Sequence, residues 1–196
     1  MADRVESLLA EIHACRACAA HLPLGPRPVL HVSATARLLI ASQAPGTKVH
    51  EKGISFWDAS GDRLRAWLGI GKEVFYDASR VAIVPAGFCY PGRLKNGGDA
   101  PPRPECAPLW RARVLAVMPA VELTLLVGSY AQELALGPGR MGDRVAGFRT
   151  YLPCFLPLPH PSWRTASWER ANPWFAAEVL PELRARVRAL TTGHVR

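Results

Sequence analysis

Residues 36–46 read ARLLIASQAPG: an apolar run that breaks off in Gln43-Ala44-Pro45-Gly46. A short, uninterrupted apolar run bounded by turn residues is the pattern of a strand buried on both faces. Three more follow: RVAIVPA at 80–86, VELTLLVG at 121–128 and CFLPLP at 154–159. Helical patterns fill the gaps. GDRLRAWLGI (61–70) closes on a glycine, and PECAPLWRARVLAVM (104–118) carries proline and glutamate in its first turn, favourable for a helix start. SYAQELAL (129–136) offers Ser129 as N-cap. NPWFAAEVLPELRARVRAL (172–190) opens on Asn172-Pro173 and places Leu180, Leu183, Val187 and Leu190 at helical spacing, with Pro181 expected to kink or restart it. Strands alternating with helices predict a single-domain three-layer α/β/α fold over residues 1–196. Its expected core is a four-stranded parallel sheet with helices on both faces. The segments CYPGRLKNGGDAPPRP (89–104) and LGPGRMGDRVAGFRT (136–150) read as a loop and a connector.

Composition narrows the class. The 196 residues are 49% hydrophobic, enough for one substantial core. No apolar stretch of about 18 residues exists, and the opening MADRVESLLAEIHAC is acidic where a signal peptide is basic. These features predict a soluble, non-exported chain, cytoplasmic, of bacterial type and nucleoid-associated. Twenty-four Lys plus Arg against 16 Asp plus Glu give a net charge of +8. Much of the excess lies in WRTASWER (163–170) and RARVRALTTGHVR (184–196). A basic surface suits a polyanionic partner such as nucleic acid, or serves solubility alone.

Five cysteines stand at positions 15, 18, 89, 106 and 154, and in a cytosolic chain disulfides are not expected. Cys15 and Cys18 form a C-x2-C after the amphipathic segment RVESLLAEIHA, while Cys89 and Cys106 sit far downstream. Four thiolates are the ligand set of a [4Fe–4S] cluster or a structural zinc. An incidental pair plus two buried thiols is the alternative.

In open parallel sheets, ligands bind beyond the carboxyl ends of the strands. Three unusual loops follow strands here: SQAPGTKVHEKG, GFCYPG and HPSWRT. Pro45 stiffens the first, and Gly46 lets backbone N–H groups approach an anion or a base edge. Gln43 offers a donor and an acceptor. In FWDASGDRLR (56–65), Phe56 and Trp57 supply flat faces, and Asp58 and Asp62 are candidate proton acceptors. Ser60-Gly61-Asp62 reads equally as a helix N-terminus with Asp62 against the dipole. The HPSWR loop combines His160, the small donor Ser162, the ring of Trp163 and the cation of Arg164. That set suits reading an extruded base and holding the gap open.

SQAPG after the first strand, HPS after the last, and the ordered cysteines of CRAC, GFC and PEC resemble the uracil-DNA glycosylase superfamily. The pattern is most similar to its iron–sulfur group, family 4, and runs from Cys15 to the final helix. The resemblance implies that Gln43, Ala44 and Gly46 lie against the base and that Phe56 stacks on it. It implies that His160 stabilises charge developing on the leaving base. Ser60, Ser162, Trp163 and Arg164 are the expected DNA contacts. Cys15, Cys18, Cys89 and Cys106 are the implied cluster ligands, with zinc or an empty site as alternatives.

Two departures matter. The family 4 glutamate of the first motif is Gln43 here, which cannot take a proton from water. The family's asparagine before the third cysteine is also missing from VPAGFC (84–89). Base discrimination is then expected to rest on backbone groups and Gln43, with specificity broader than uracil or shifted to another deaminated base. Asp58 becomes the first candidate for orienting water, with Asp62, His50 and Glu51 behind it. The expected activity is hydrolytic excision of such a base from DNA by a monomer, leaving an abasic site. A slow or non-catalytic binder of damaged DNA is the alternative.

Overall fold

The computed structural model describes residues 2–95 and 97–192. Residue 96 of the 89–104 loop and the last four residues of the basic stretch 184–196 lie outside the described residues.

The four apolar runs form strands β1 (Leu38–Ser42), β2 (Val81–Pro85), β3 (Leu123–Val127) and β4 (Phe155–Leu158). They pair in the order β2-β1-β3-β4, all parallel, with Ile40 opposite Ile83 on one side and Leu125 on the other. Both faces of this sheet are covered, so the strands carry continuous apolar runs and not an alternating pattern.

The helices are α1 (Ala2–Ala14), α2 (Thr47–Lys52), α3 (Ala59–Leu68), α4 (Lys72–Phe75), α5 (Cys106–Ala116), α6 (Ser129–Leu136), α7 (Met141–Ala146), α8 (Ala166–Ala171) and α9 (Leu180–Thr191). Successive strand residues point to opposite faces, and two cores result. Leu38, Ile40, Ile83, Leu125 and Leu156 meet Leu64, Leu68, Phe75, Val145, Leu183 and Val187 from α3, α4, α7 and α9. On the other face, Leu39, Ala82 and Val84 meet Val5, Leu8 and Ile12 of α1 and Val114 of α5. Ala41 and Leu126 pack on Ala131 of α6. The architecture is therefore a four-stranded parallel sheet between helical layers. No helix among the described residues is long and apolar enough to cross a membrane.

Local details differ from the sequence expectations. Ser129 is the first residue of α6 and not its cap. Gly128 occupies the cap position with φ 84°, a left-handed conformation that glycine adopts without strain. The 136–150 connector contains α7 and a 3-10 turn, Phe148–Tyr151, because Val145 and Phe148 reach the core. The last segment is π-helical over Phe175–Val179, and α9 restarts with Pro181 in its first turn, where the missing N–H is no loss.

Candidate functional site

Three loops leave the carboxyl ends of β1, β2 and β4 and surround one cavity of about 400 Å³. That volume is ordinary for a small-ligand site, roughly 300–1,000 Å³. Its wall includes Gln43, Ala44, Pro45 and Gly46 after β1, Phe56, Asp58 and Ser60 before and within α3, and His160, Ser162, Trp163 and Arg164 after β4. The parallel sheet brings these distant segments together because every strand ends at the same edge. Asp62, His50 and Glu51 do not line the cavity.

The first loop is fastened from two sides. The Ala86 and Gly87 N–H groups donate to the Ser42 and Gln43 carbonyls at 2.8 and 3.0 Å. The Gln43 amide donates through Nε2 to the Ala100 carbonyl at 3.1 Å. Among the described residues, Gln43 Oε1 accepts no hydrogen bond.

Phe56 is buried against Phe75, edge to face, and is the one described non-glycine residue with positive φ, at 55°. Such a backbone is costly outside glycine and persists only where its surroundings fix it. Here the Tyr76 hydroxyl donates to the Phe56 carbonyl at 3.2 Å, and Arg65 donates to Tyr76 while pairing with Asp62. Gly61 completes the grip, since an added Cβ would stand 1.8 Å from the Phe56 carbonyl oxygen. Asp58, not Asp62, caps α3: its Oδ1 accepts from the Gly61 N–H at 2.9 Å. Asp62 lies in the first turn with its carboxylate largely exposed. Trp57 turns away from the cavity, beside Tyr76 and under Lys72.

His160 is half-buried and packs against Gly128, whose hypothetical Cβ would lie 3.4 Å from its own. Burial pushes its imidazole below the ordinary value, opposed by the negative charges of Asp58 and Asp99. The ring is thus a neutral donor near pH 7. Its loop is braced by Thr165, which donates to the His160 carbonyl, and by Arg63, which donates to the Ser162 carbonyl at 3.0 Å and pairs with Glu169. Trp163 is 77% exposed, with the Arg164 guanidinium 5.1 Å from its ring centroid. Trp163 is the most exposed large hydrophobic side chain among the described residues.

Sequence reasoning missed four contributors: Asp99 and the buried Ser42 and Ser55 in the wall, and Arg63 behind the last loop. Asp99 sits in a Gly- and Pro-rich stretch that carried no signal beyond "loop". Arg63 looked like any basic residue on a helix surface.

A second, smaller cavity of about 20 Å³ lies on the side of α1 and α5 and is lined by Cys15, Cys18, Cys89 and Cys106 together with Arg16, Arg103 and Glu105. Cys154 lies elsewhere and is exposed. Burial and neighbouring sulfurs push the Cys89 and Cys106 thiols up to about 11. The Phe88 N–H donates to Cys106 Sγ at 3.4 Å. Among the described residues, no three His, Cys, Asp or Glu side chains are grouped so as to hold a metal ion. The thiols ring the void without meeting in it. Four sulfur donors with two nearby guanidiniums still form a donor set chemically suited to iron–sulfur or zinc ligation. A void of this size has room for about one water-sized species, so a four-iron cluster requires the thiols to spread.

The family model described as the uracil DNA glycosylase superfamily matches residues 30–184. The match spans the whole sheet, both end-of-strand motifs and nearly the entire wall of the larger cavity, and it begins after Cys15 and Cys18. Matched over most of its length and folded around the same parallel sheet, the chain belongs to the uracil DNA glycosylase superfamily, a class of DNA repair hydrolases.

Proposed function

We propose that the protein is a monofunctional DNA glycosylase that excises uracil, or a related deaminated base, from DNA. The observation that carries this reading is the convergence of His160, the Gln43–Gly46 backbone and the Phe56 ring on one cavity. The target nucleotide is flipped out of the duplex and stacked on Phe56. Fixing the Phe56 backbone in advance means that the stacking face needs no rearrangement on binding. His160, neutral and held by its loop, donates an N–H to a base carbonyl as the bond from the base nitrogen to C1′ breaks. Stabilising the departing anion in this way is worth several kcal/mol when the donor is preorganised. Gln43 Oε1 accepts from an N–H on the base edge. Ser60 and Ser162 contact phosphate, and Trp163 with Arg164 fills the space the base vacates. The net charge of +8 makes binding strongly salt-dependent.

The wider fit is to the iron–sulfur group, family 4, with a divergent first motif. In this reading Cys15, Cys18, Cys89 and Cys106 hold a [4Fe–4S] cluster, or zinc in the alternative. When bound, the metal group ties the segment after α1 to the 89–106 loop and takes no part in bond cleavage. A brown preparation absorbing near 400 nm supports the cluster. A colourless protein that contains zinc supports the alternative, and a metal-free one overturns both.

The test of function is excision from single- and double-stranded oligonucleotides carrying uracil, hypoxanthine, xanthine or ethenocytosine. Release of one of these bases with formation of an abasic site supports the reading. A second reading, a slow or non-catalytic damage binder, draws on the neutral Gln43, whose amide is tied to the Ala100 carbonyl. Tight binding without release over hours supports it.

A further inference from the structure

We propose that Asp99, which lines the cavity from the 89–104 loop, is the general base whose carboxylate takes the proton of the attacking water. The inference rests on the glycosylase reading above and supplies the carboxylate that Gln43 lacks.

Among the described residues, the only carboxylates that line the cavity are Asp58 and Asp99. Asp58 already uses Oδ1 to cap α3, so moving it toward a water loosens a helix start and the Phe56 grip beside it. Among the described residues, the Asp99 carboxylate has no such hydrogen bond or ion pair. Its Oδ2 lies 3.5 Å from where a Cβ on Gly46 would stand, which puts the carboxylate against the same short loop that presents Gln43. The neighbouring Ala100 carbonyl receives the Gln43 amide.

The described residues on either side of residue 96 are tied to each other by backbone contacts. Arg93 and Asp99 pair through an antiparallel backbone bridge, the Leu94 N–H donates to the Gly98 carbonyl at 2.7 Å, the Ala100 N–H donates to the Gly92 carbonyl at 2.9 Å, and Arg164 donates to the Gly97 carbonyl. Asp99 therefore joins the first and last motif loops at one rim. Its charge also acts on His160, along with that of Asp58.

The step balances without a further reactant. Water oxygen bonds to C1′ as the C1′–N bond breaks, the bonding pair leaves on the base, and the water proton passes to the Asp99 carboxylate. His160 hydrogen-bonds the anionic base, which gains its proton from solvent or from Asp99 on release. Positioned general-base catalysis of this kind contributes about 10²–10⁴-fold.

Single-turnover excision, measured on parent, Asp99→Asn, Asp99→Glu and Asp58→Asn, separates the outcomes. Asp99→Asn is expected to lose about a hundredfold in rate with its DNA affinity kept, and Asp99→Glu to regain part of it. In a His160→Ala background the Asp99→Asn loss is expected to persist, because it acts on water and not through the histidine. A parent that releases base while Asp99→Asn stays within threefold of it overturns the inference and leaves the glycosylase reading standing. Disappearance of the loss in the His160→Ala background likewise overturns the proton-accepting role. A parent that releases no base from any lesion overturns the glycosylase reading itself, and the inference with it.

Discussion

The two cavities differ in what they are made of and in how far their parts travel along the chain. The larger one is walled by loop ends from β1, β2 and β4, with donors, two carboxylates and the aromatic side chains of Phe56 and Trp163. The smaller one is walled by four thiols, prolines and core side chains beneath α1 and α5. One stretch of chain serves both. It leaves β2 through Cys89, swings Asp99 and Ala100 to the base cavity, and returns at Cys106. Cys89 and Cys106 at the two ends of this stretch thus line the smaller cavity, while Asp99 between them lines the larger one. In the proposed reading, chemistry and anchorage are separate regions joined by the 89–106 stretch.

That division is broken most directly at His160. His160→Ala is expected to slow single-turnover excision by about 10²–10³-fold, the usual cost of losing one preorganised donor. Metal content and melting temperature are expected to stay unchanged. Altered metal content in this variant contradicts the separation.

The converse substitution is Cys106→Ser. It is expected to abolish metal uptake and lower the melting temperature, and to reduce excision by about tenfold through misplacement of the Gln43 anchor. Metal analysis and calorimetry on the same sample check it. An excision loss as large as that of His160→Ala makes the sulfur cavity part of the chemistry.

Trp163→Ala acts at the exposed rim of the larger cavity and leaves the sulfur cavity untouched. An expected loss of about 1–3 kcal/mol in affinity for duplex substrate, the scale of one stacking contact, is read by titration with uracil-containing DNA. Unchanged affinity removes the indole from the DNA contact.

The smallest effect is that of pH on stability. Burial lowers the imidazoles of His31, His50 and His160 from the ordinary 6.5, so below about pH 6.5 the unfolded chain binds more protons than the folded one. Stability then falls as pH drops through that value. A melting temperature that rises between about pH 7.5 and about pH 5.5 contradicts the burial of these rings in neutral form.

The fold was largely legible because its signals are local. Four apolar runs bounded by turn residues became four strands, and the helix patterns between them became the two layers. What the sequence hid depends on approach through space. Asp58 and Asp62 are both acids near a helix start, and only the 2.9 Å contact to the Gly61 N–H distinguishes the cap. Phe56 reads as a flat face for stacking, yet its place in the core, its positive φ and the Gly61 contact are invisible until the backbone is traced. Asp99 was masked by the glycines and prolines around it, because loop composition says nothing of where a loop lands. The C-x2-C at 15–18 was visible at once, whereas its place around one void with residues 89 and 106 needs the packing of α1 against α5.

The central claim is that the larger cavity cleaves the bond between a flipped base and its sugar. Incubating excess protein with a uracil-containing duplex and weighing the products by mass spectrometry tests it directly. The account predicts free uracil and an intact strand with one abasic site. Recovery of the unaltered strand from a stable complex, after hours and for every deaminated base tried, contradicts it.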